Sequence, residues 1–137
     1  MEIMLKESKT GWVKVSDSIS VLVGYPTIEQ DEELKKILYE VGFITNDQNV
    51  DDLTPKDKSD LMSLNEKYYK LYLKYTIKDW KGVNFSGGDE AVFKLTKNEM
   101  DDGLWQKLCR ALVLSDIYEL VKLIKKEIDF NDSDKKK

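Results

Sequence analysis

Two adjacent pairs of aspartates are the first candidates for chemistry in this sequence of 137 residues. They are Asp51 with Asp52 and Asp101 with Asp102. General acid–base catalysis needs groups that converge on one substrate, and neighbouring residues on a helix do not face each other. The chain also has no histidine, the commonest general base near neutral pH. We therefore predict that the protein is not an enzyme. The first pair is expected in a solvated loop, and the second compensates a helix dipole.

Metal and cofactor sites have equally little support. Cys109 is the single cysteine, so without histidine the usual zinc ligand sets cannot form. It follows Leu108 in an apolar segment, which favours an inert, structural thiol. "SGGD" at residues 86–89 lacks the P-loop pattern, so its glycines indicate a tight turn. "NDQNVDD" at residues 46–52 does not have the spacing of a calcium loop. We expect no cofactor and no metal ion.

Charge and hydropathy restrict the partners that the chain can bind. The formal net charge is −4, and no segment supplies the large basic face that nucleic-acid binding requires. The densest basic cluster is Lys122, Lys125 and Lys126, near a predicted helix C-terminus where cations are favoured in any case. No apolar run approaches the ~20 residues that span a bilayer, and the first ten residues contain no apolar signal core. We expect a cytoplasmic protein that binds neither nucleic acid nor membrane.

The N-terminal residues 1–26 have the pattern of a small antiparallel β-meander. "EIMLK" at residues 2–6 and "WVKVS" at residues 12–16 flank a polar turn and predict two strands. "ISVLVGY" at residues 19–25 predicts a third strand, because it is rich in β-branched residues. Pro26 ends this strand.

Two helices follow in the pattern. The first is predicted over residues 28–41, with Thr27 as its N-cap and Gly42 as its stop. A polar loop covers residues 45–52. The second helix has Thr54 as its N-cap and Pro55 at its first position, and it is expected to end near Ile77.

The remaining sequence predicts a short β-like excursion and two more helices. A hairpin-like excursion near residues 83–95 turns on Gly87 and Gly88, and "TKNE" at residues 96–99 has the pattern of a capping box for the next helix. A second cap pattern at "LSD", residues 114–116, favours two helices at a bend, with one continuous helix as the alternative. The fold class is therefore α+β, a β-element over residues 1–26 and a body of about four helices over residues 27–130. Residues 131–137 are expected to form a disordered tail.

Two predicted helical segments carry apolar residues over unusually wide arcs. They are the second helix, around residues 68–75, and the segment of residues 104–113. Such arcs indicate either burial on two sides or an exposed patch that binds a partner. If the patch exists, its residues are those outside the narrow core stripes: Tyr69, Leu73, Trp105, Leu112 and Val113.

Residues 50–128 resemble the tail assembly chaperone-like proteins of long-tailed bacteriophages. A helix opened by Thr-Pro ends in "WKGV", a glycine-bearing turn follows, and "VFKLTKNEM" precedes the last helices. Members of that family often have proline where this chain has Lys97. The matching positions are Thr54, Pro55, Trp80, Gly82, Val83, Phe93, Thr96 and Glu99.

The resemblance implies a non-catalytic function. Such chaperones coat the long tape measure protein before tail tube subunits polymerise around it, so it implies the tape measure and tail tube proteins as partners, with self-association as a further expectation. It also implies a location in the cytoplasm of the infected bacterial host and absence from the mature virion. Two alternatives stay open: a structural component of the tail or virion, and a small phage-encoded inhibitor of a host protein.

Overall fold

The computed structural model of the protein describes residues 1–3, 10–46 and 48–135, with side chains described as far as Ile128. Its described elements form a three-stranded antiparallel sheet, four α-helices and a small two-stranded sheet. The predicted α+β class is confirmed.

The larger sheet has the strand order β1 (Gly11–Lys14), β2 (Ser20–Val23) and β3 (Ile77–Lys81). Val13 pairs with Val21, and Val21 also faces Trp80 across the next strand. In β2 the buried residues Val21 and Val23 alternate with less buried neighbours. This is the period expected when one face of a sheet covers a core.

The third strand of this sheet is not the one that the sequence predicted. The strands predicted within residues 12–16 and 19–25 are confirmed as β1 and β2, but the other neighbour of β2 is β3, from the middle of the chain. The strand predicted at residues 2–6 falls largely on residues 4–9, which lie outside the described residues. The stretch after the second helix becomes a strand because Ile77 and Trp80 bury their side chains while their backbones pair with β2.

Helix α1 (Ile28–Thr45) begins as predicted and ends later than predicted. Thr27 and Gln30 form a complete capping box, which satisfies the first free backbone amides. Gly42 does not stop the helix, because Asn46 serves as its C-cap in the left-handed conformation, with φ 39°. Asparagine tolerates that conformation, so the chain does not need glycine to leave the helix.

Helix α2 (Pro55–Thr76) matches the predicted element closely. The hydroxyl of Thr54 accepts a hydrogen bond from the amide of Asp57 at 3.1 Å, and Pro55 occupies the first turn. The helix packs against α1 and the C-terminal helix, and its last turn leads into β3. It is therefore buried on more than one side.

The segment after β3 contains the predicted hairpin-like excursion but not the predicted capping box. Thr96 belongs to β4 (Leu95–Thr96), which pairs with β5 (Glu99–Met100). Lys97 and Asn98 connect the two strands with positive φ angles of 52° and 64°, as in a two-residue hairpin turn. The fully buried side chain of Met100 holds β5 to the core, so this segment folds as a hairpin and the next helix starts later.

Two C-terminal helices meet at a bend, as the sequence favoured. Helix α3 (Asp102–Ala111) has Asp101 as its N-cap, whose carboxylate accepts from the amide of Leu104 at 3.3 Å. Helix α4 (Leu114–Lys135) packs on α2 and β1. It continues through most of the segment expected to be a tail, because propagating a formed helix costs little. Residues 136 and 137 lie outside the described residues.

Candidate functional site

An apolar groove lies between the loop of residues 83–91 and helix α3. Its volume is about 470 Å³, within the range of protein binding sites. We call it the loop–helix groove. Its lining is mainly apolar, with two cations and no carboxylate, thiol or imidazole among the lining residues: Trp80, Val83, Asn84, Phe85, Ser86, Ala91, Leu104, Lys107, Leu108, Arg110 and Ala111.

The loop wall of the groove is held by its own backbone. The amide of Phe85 donates to the carbonyl of Asp89 at 2.8 Å, and the amide of Ala91 donates to the carbonyl of Val83 at 2.9 Å. Gly88 closes the turn with a φ of 93°, where a side chain would be strained. The loop is therefore a small hairpin that presents Phe85 to the groove.

Trp80 forms the floor and fixes the loop to the larger sheet. Its ring is buried, and its indole N–H donates to the carbonyl of Ala91 at 2.5 Å. The ring also packs edge-on against Phe93, with 5.0 Å between centroids. Thus the Trp80 side chain ties the loop wall of the groove to β3.

The helical wall is α3, whose apolar residues are incompletely covered. No residue of α3 is buried, although Leu104, Trp105 and Leu108 pack against the core. Leu104, Leu108 and Ala111 recur at helical spacing and line the groove. An amphipathic helix normally buries its apolar stripe, so α3 has apolar surface left for another molecule to cover.

Two cations stand among the groove-lining residues of α3. The ammonium of Lys107 lies 4.9 Å from the centroid of the Phe85 ring, and Arg110 follows three residues later on the same helix. Within the part of the chain that the structure describes, neither forms an ion pair. Asp89 and Glu90 belong to the loop but do not line the groove. The lining is therefore locally positive in a chain whose net charge is −4.

The exposed apolar residues of α1 form a different kind of surface. Ile28, Tyr39 and Phe43 are exposed. At about 100° per residue they lie within about 60° of one another, opposite the buried Leu34 and Ile37. The outer side of a single helix is convex, so this surface does not enclose a ligand as the groove does.

The predicted partner residue Leu73 belongs to the core instead. Its exposed fraction is 0%, and it sits in the main cluster of buried residues. The assignment of Leu73 to a partner surface is wrong because α2 is covered on several sides. The wide apolar arc of this helix thus arises, at this position, from burial on two sides.

Trp105 is half-buried and links two helices. Its indole N–H donates to the carbonyl of Lys70 in α2 at 2.8 Å, and the ammonium of Lys74 lies 4.8 Å from the ring centroid. The ring lines a shallow depression beside α2, separate from the loop–helix groove. Trp105 therefore orients α3 on α2.

The other three predicted partner residues lie apart from the groove. Tyr69 is half-buried and packs edge-on against Tyr118, with 4.6 Å between ring centroids. Leu112 is half-buried at the C-cap of α3, and Val113 is 62% exposed in the bend. None of the five predicted residues lines the groove.

The aspartates at the start of α3 have structural partners. Asp101 caps the helix, and Asp102 accepts hydrogen bonds from Lys74 at 3.1 Å and from Gln106 at 2.8 Å. Burial lowers the pKa of Lys74, but its hydrogen bonds to Asp102 and Glu99 outweigh burial and leave that pKa raised. Lys74 thus ties α2 to the start of α3.

Cys109 is half-buried on α3. Burial raises the pKa of its thiol. The positive charge of Lys70 acts in the opposite direction but does not cancel this rise. A raised pKa reduces the thiolate fraction at neutral pH, and the thiolate is the reactive form.

Neither a metal-binding cluster nor a membrane-spanning helix is present among the described residues. No group of three or more cysteine and acidic side chains is placed so that it could hold a metal ion. Among the described helices, none combines the length and hydrophobicity that crossing a bilayer would require.

Sequence reasoning missed the residues that make the groove distinctive, namely Phe85, Lys107 and Arg110. Leu104, Leu108 and Ala111 carry a visible signal, since their spacing predicts one apolar face on α3. The cations next to that face could have been noted as well. The contribution of Phe85 has no local signal, because it depends on how the loop folds over the helix.

Comparisons of the chain with protein-family models, with curated proteins and with solved structures gave no match. Function is therefore inferred from the chemistry of the groove and from the sequence resemblance described above.

Proposed function

We propose that this protein is a non-catalytic tail assembly chaperone of a long-tailed bacteriophage. It binds the tape measure protein, the tail tube protein or both during tail morphogenesis, in the cytoplasm of the infected host, and leaves before the virion is complete. The observation that carries the proposal is the incomplete covering of α3. A helix with large apolar residues and none of them buried borders an apolar groove of about 470 Å³.

The chemistry of the groove suits reversible binding of an apolar segment. Its apolar lining gains free energy when water is displaced, at about 25 cal/mol per Å² of apolar surface covered. The net charge of −4 keeps the remaining surface solvated. A tape measure protein is long, so many copies bound weakly along it would hold it soluble through avidity.

The resemblance also supports the proposal, with a change in the residues that carry it. Thr54 and Pro55 open α2, but that helix ends at Thr76, so Trp80 lies in β3 and Gly82 directly follows this strand. Thr96, another of the matching positions, lies in a hairpin here and does not cap a helix. Three of the matching positions, Trp80, Gly82 and Val83, thus lie in or beside the strand and loop that build one wall of the groove.

The test is co-expression with the tape measure and tail tube proteins encoded by the same phage genome. Ala111→Arg places a bulky side chain at an exposed position of the groove lining. We expect it to weaken capture of the tape measure or tube protein at least about tenfold, which corresponds to about 1.4 kcal/mol. Gln106→Arg is the matched control, because Gln106 is exposed on the same helix and does not line the groove.

Three outcomes would overturn the proposal. The first is equal capture by wild type and Ala111→Arg, and the second is capture of neither tail protein by the wild type. The third is stoichiometric recovery of the chain from washed virions, which would identify a structural tail component. Recovery of a single host enzyme in place of the tail proteins belongs to the second outcome and would indicate an inhibitor.

A further inference from the structure

We infer that the segment held in the loop–helix groove is an amphipathic helix with carboxylate side chains beside its apolar stripe. This inference rests on the proposed function and specifies the chemistry of the partner. It follows from two features of the same site, the apolar lining and two cations that form no ion pair within the described part of the chain.

The apolar lining sets the first requirement. Trp80, Leu104 and Leu108 offer apolar surface between the loop and α3. The backbone amides of Phe85 and Ala91 are already bonded within the loop. A bound chain therefore finds little backbone to pair with there, and a helix satisfies its own backbone bonds while presenting a stripe of apolar side chains.

The cations set the second requirement. Lys107 and Arg110 are three residues apart on one helix, so their side chains lie on neighbouring positions of the same face. Neither has a carboxylate partner among the described residues. A carboxylate of the bound segment would pair with either one, and Arg110 can bind it through two parallel hydrogen bonds.

The rest of the molecule makes this local charge selective. The chain has 26 acidic and 22 basic residues, so its net charge opposes binding of an acidic segment, and at the groove two cations stand beside apolar lining without a lining carboxylate. Charge patterns of this kind fix the register and orientation of a partner more than its affinity. We therefore expect the carboxylates to decide where and in which direction the helix lies.

The experiment uses the full chain and two synthetic helical peptides with the same leucine stripe. One peptide carries glutamates beside the stripe, and the other carries glutamines at the same positions. Fluorescence anisotropy at low salt should show that the glutamate peptide binds about three to ten times more tightly, as expected for two exposed ion pairs. The preference should shrink towards none near 1 M salt, where the Debye length is about 3 Å.

Charge reversal locates the preference. The double variant Lys107→Glu with Arg110→Glu should bind the glutamine peptide more tightly than the glutamate peptide. Lys122→Glu with Lys126→Glu makes the same change of charge on exposed α4 residues outside the groove and should keep the wild-type preference. Circular dichroism of all variants confirms that the fold is retained.

The inference fails if the two peptides bind equally, if neither binds, or if the α4 variant loses the preference as the groove variant does. It also fails if sedimentation velocity of the wild type alone shows a dimer that Ala111→Arg abolishes, because a second copy would then occupy the groove. None of these results decides whether the protein captures the tape measure protein, which the co-expression experiment tests separately. Failure of that capture is a failure of the proposed function.

Discussion

At the scale of single residues, a few side chains join elements that are distant in the sequence. Trp80 connects β3 to the 83–91 loop through the carbonyl of Ala91, and Trp105 connects α3 to α2 through the carbonyl of Lys70. Each indole is apolar over most of its surface and carries one donor that finds a partner. Trp80 thus holds the loop wall of the groove and Trp105 holds α3, so the two tryptophans position the two walls of the groove.

Tyr75 makes a third connection, from α2 to Glu33 of α1. Burial raises the pKa of the Tyr75 hydroxyl, and the hydrogen bond to Glu33 raises it further. The native state therefore retains the phenolic proton to a higher pH than the unfolded chain, whose tyrosines titrate near pH ~10. Above about pH 10 the native state binds more protons, so the free energy of unfolding falls as the pH rises.

Tyr75→Phe should show this dependence directly. We expect a loss of about 1 kcal/mol at neutral pH, from the removed hydrogen bond. We also expect a smaller fall in stability between pH 9 and pH 11 than in the wild type. Lys74, with a raised pKa, adds to the wild-type fall, and Lys78, whose pKa is lowered by burial, opposes it. Urea unfolding of both proteins across this range isolates the contribution of Tyr75.

Tyr39→Phe is the control for this measurement. Tyr39 is exposed on α1, so its hydroxyl should be worth no more than about 0.5 kcal/mol. Identical pH curves for the wild type and Tyr75→Phe would show that Tyr75 is not what weakens the fold at alkaline pH.

At the scale of elements, Gly42, which was predicted to stop α1, and Gly82 have different roles. Gly82 ends β3 with a φ of 80°, and a Cβ there would lie 1.8 Å from the carbonyl oxygen of Ser18. Gly42 lies inside α1, and a Cβ there would have no atom within 4 Å. Only Gly82 is required by the backbone.

Alanine at each position should change stability in opposite directions. Gly82→Ala should destabilise the protein by about 2 kcal/mol or more, because both the backbone angle and the contact with Ser18 oppose a side chain. Gly42→Ala should stabilise it by about 0.5–1 kcal/mol, as expected for a glycine in a helix interior. Urea unfolding midpoints of the two variants provide the measurement. A destabilising Gly42→Ala would mean that α1 ends at Gly42, as the sequence alone predicts.

These elements also show which parts of the fold local sequence could predict. Thr54, Pro55 and Asp57 define the start of α2 through contacts within four residues, and they predict it correctly. "TKNE" fits both a capping box and a hairpin turn, and the choice is made by Met100, whose side chain is buried in the core. β3 was missed for a similar reason, since its partner β2 lies far earlier in the chain.

Of the two walls of the groove, only the helical wall could be predicted from the sequence. The apolar face of α3 follows from the spacing of Leu104 and Leu108. The loop wall depends on the hydrogen bond from the Trp80 indole to the carbonyl of Ala91, which is a tertiary contact. Leu73 was misassigned for the converse reason, because its place on α2 does not reveal how many neighbours cover that helix.

At the scale of the whole molecule, burial is unevenly distributed around α2. The junction of α2 and β3 is at the centre of the core, where Leu73, Thr76 and Ile77 are fully buried. The 83–91 loop is attached through Trp80 and its own backbone bonds, and all residues from 84 to 90 are exposed. The groove thus has one wall, α3, fixed to α2 and another, the loop, with few contacts.

Hydrogen exchange followed by NMR should resolve this difference. Amides of residues 72–77 should exchange only through global unfolding, and those of residues 85–91 through local opening, with protection at least about 100-fold lower. Addition of the glutamate-bearing peptide should slow exchange in residues 85–91 and leave the order of protection in α2 unchanged, because the bound helix covers the loop wall. If residues 85–91 exchange as slowly as the core without peptide, the loop belongs to the global unfolding unit. The groove would then be a preformed site whose loop wall does not open when a partner enters.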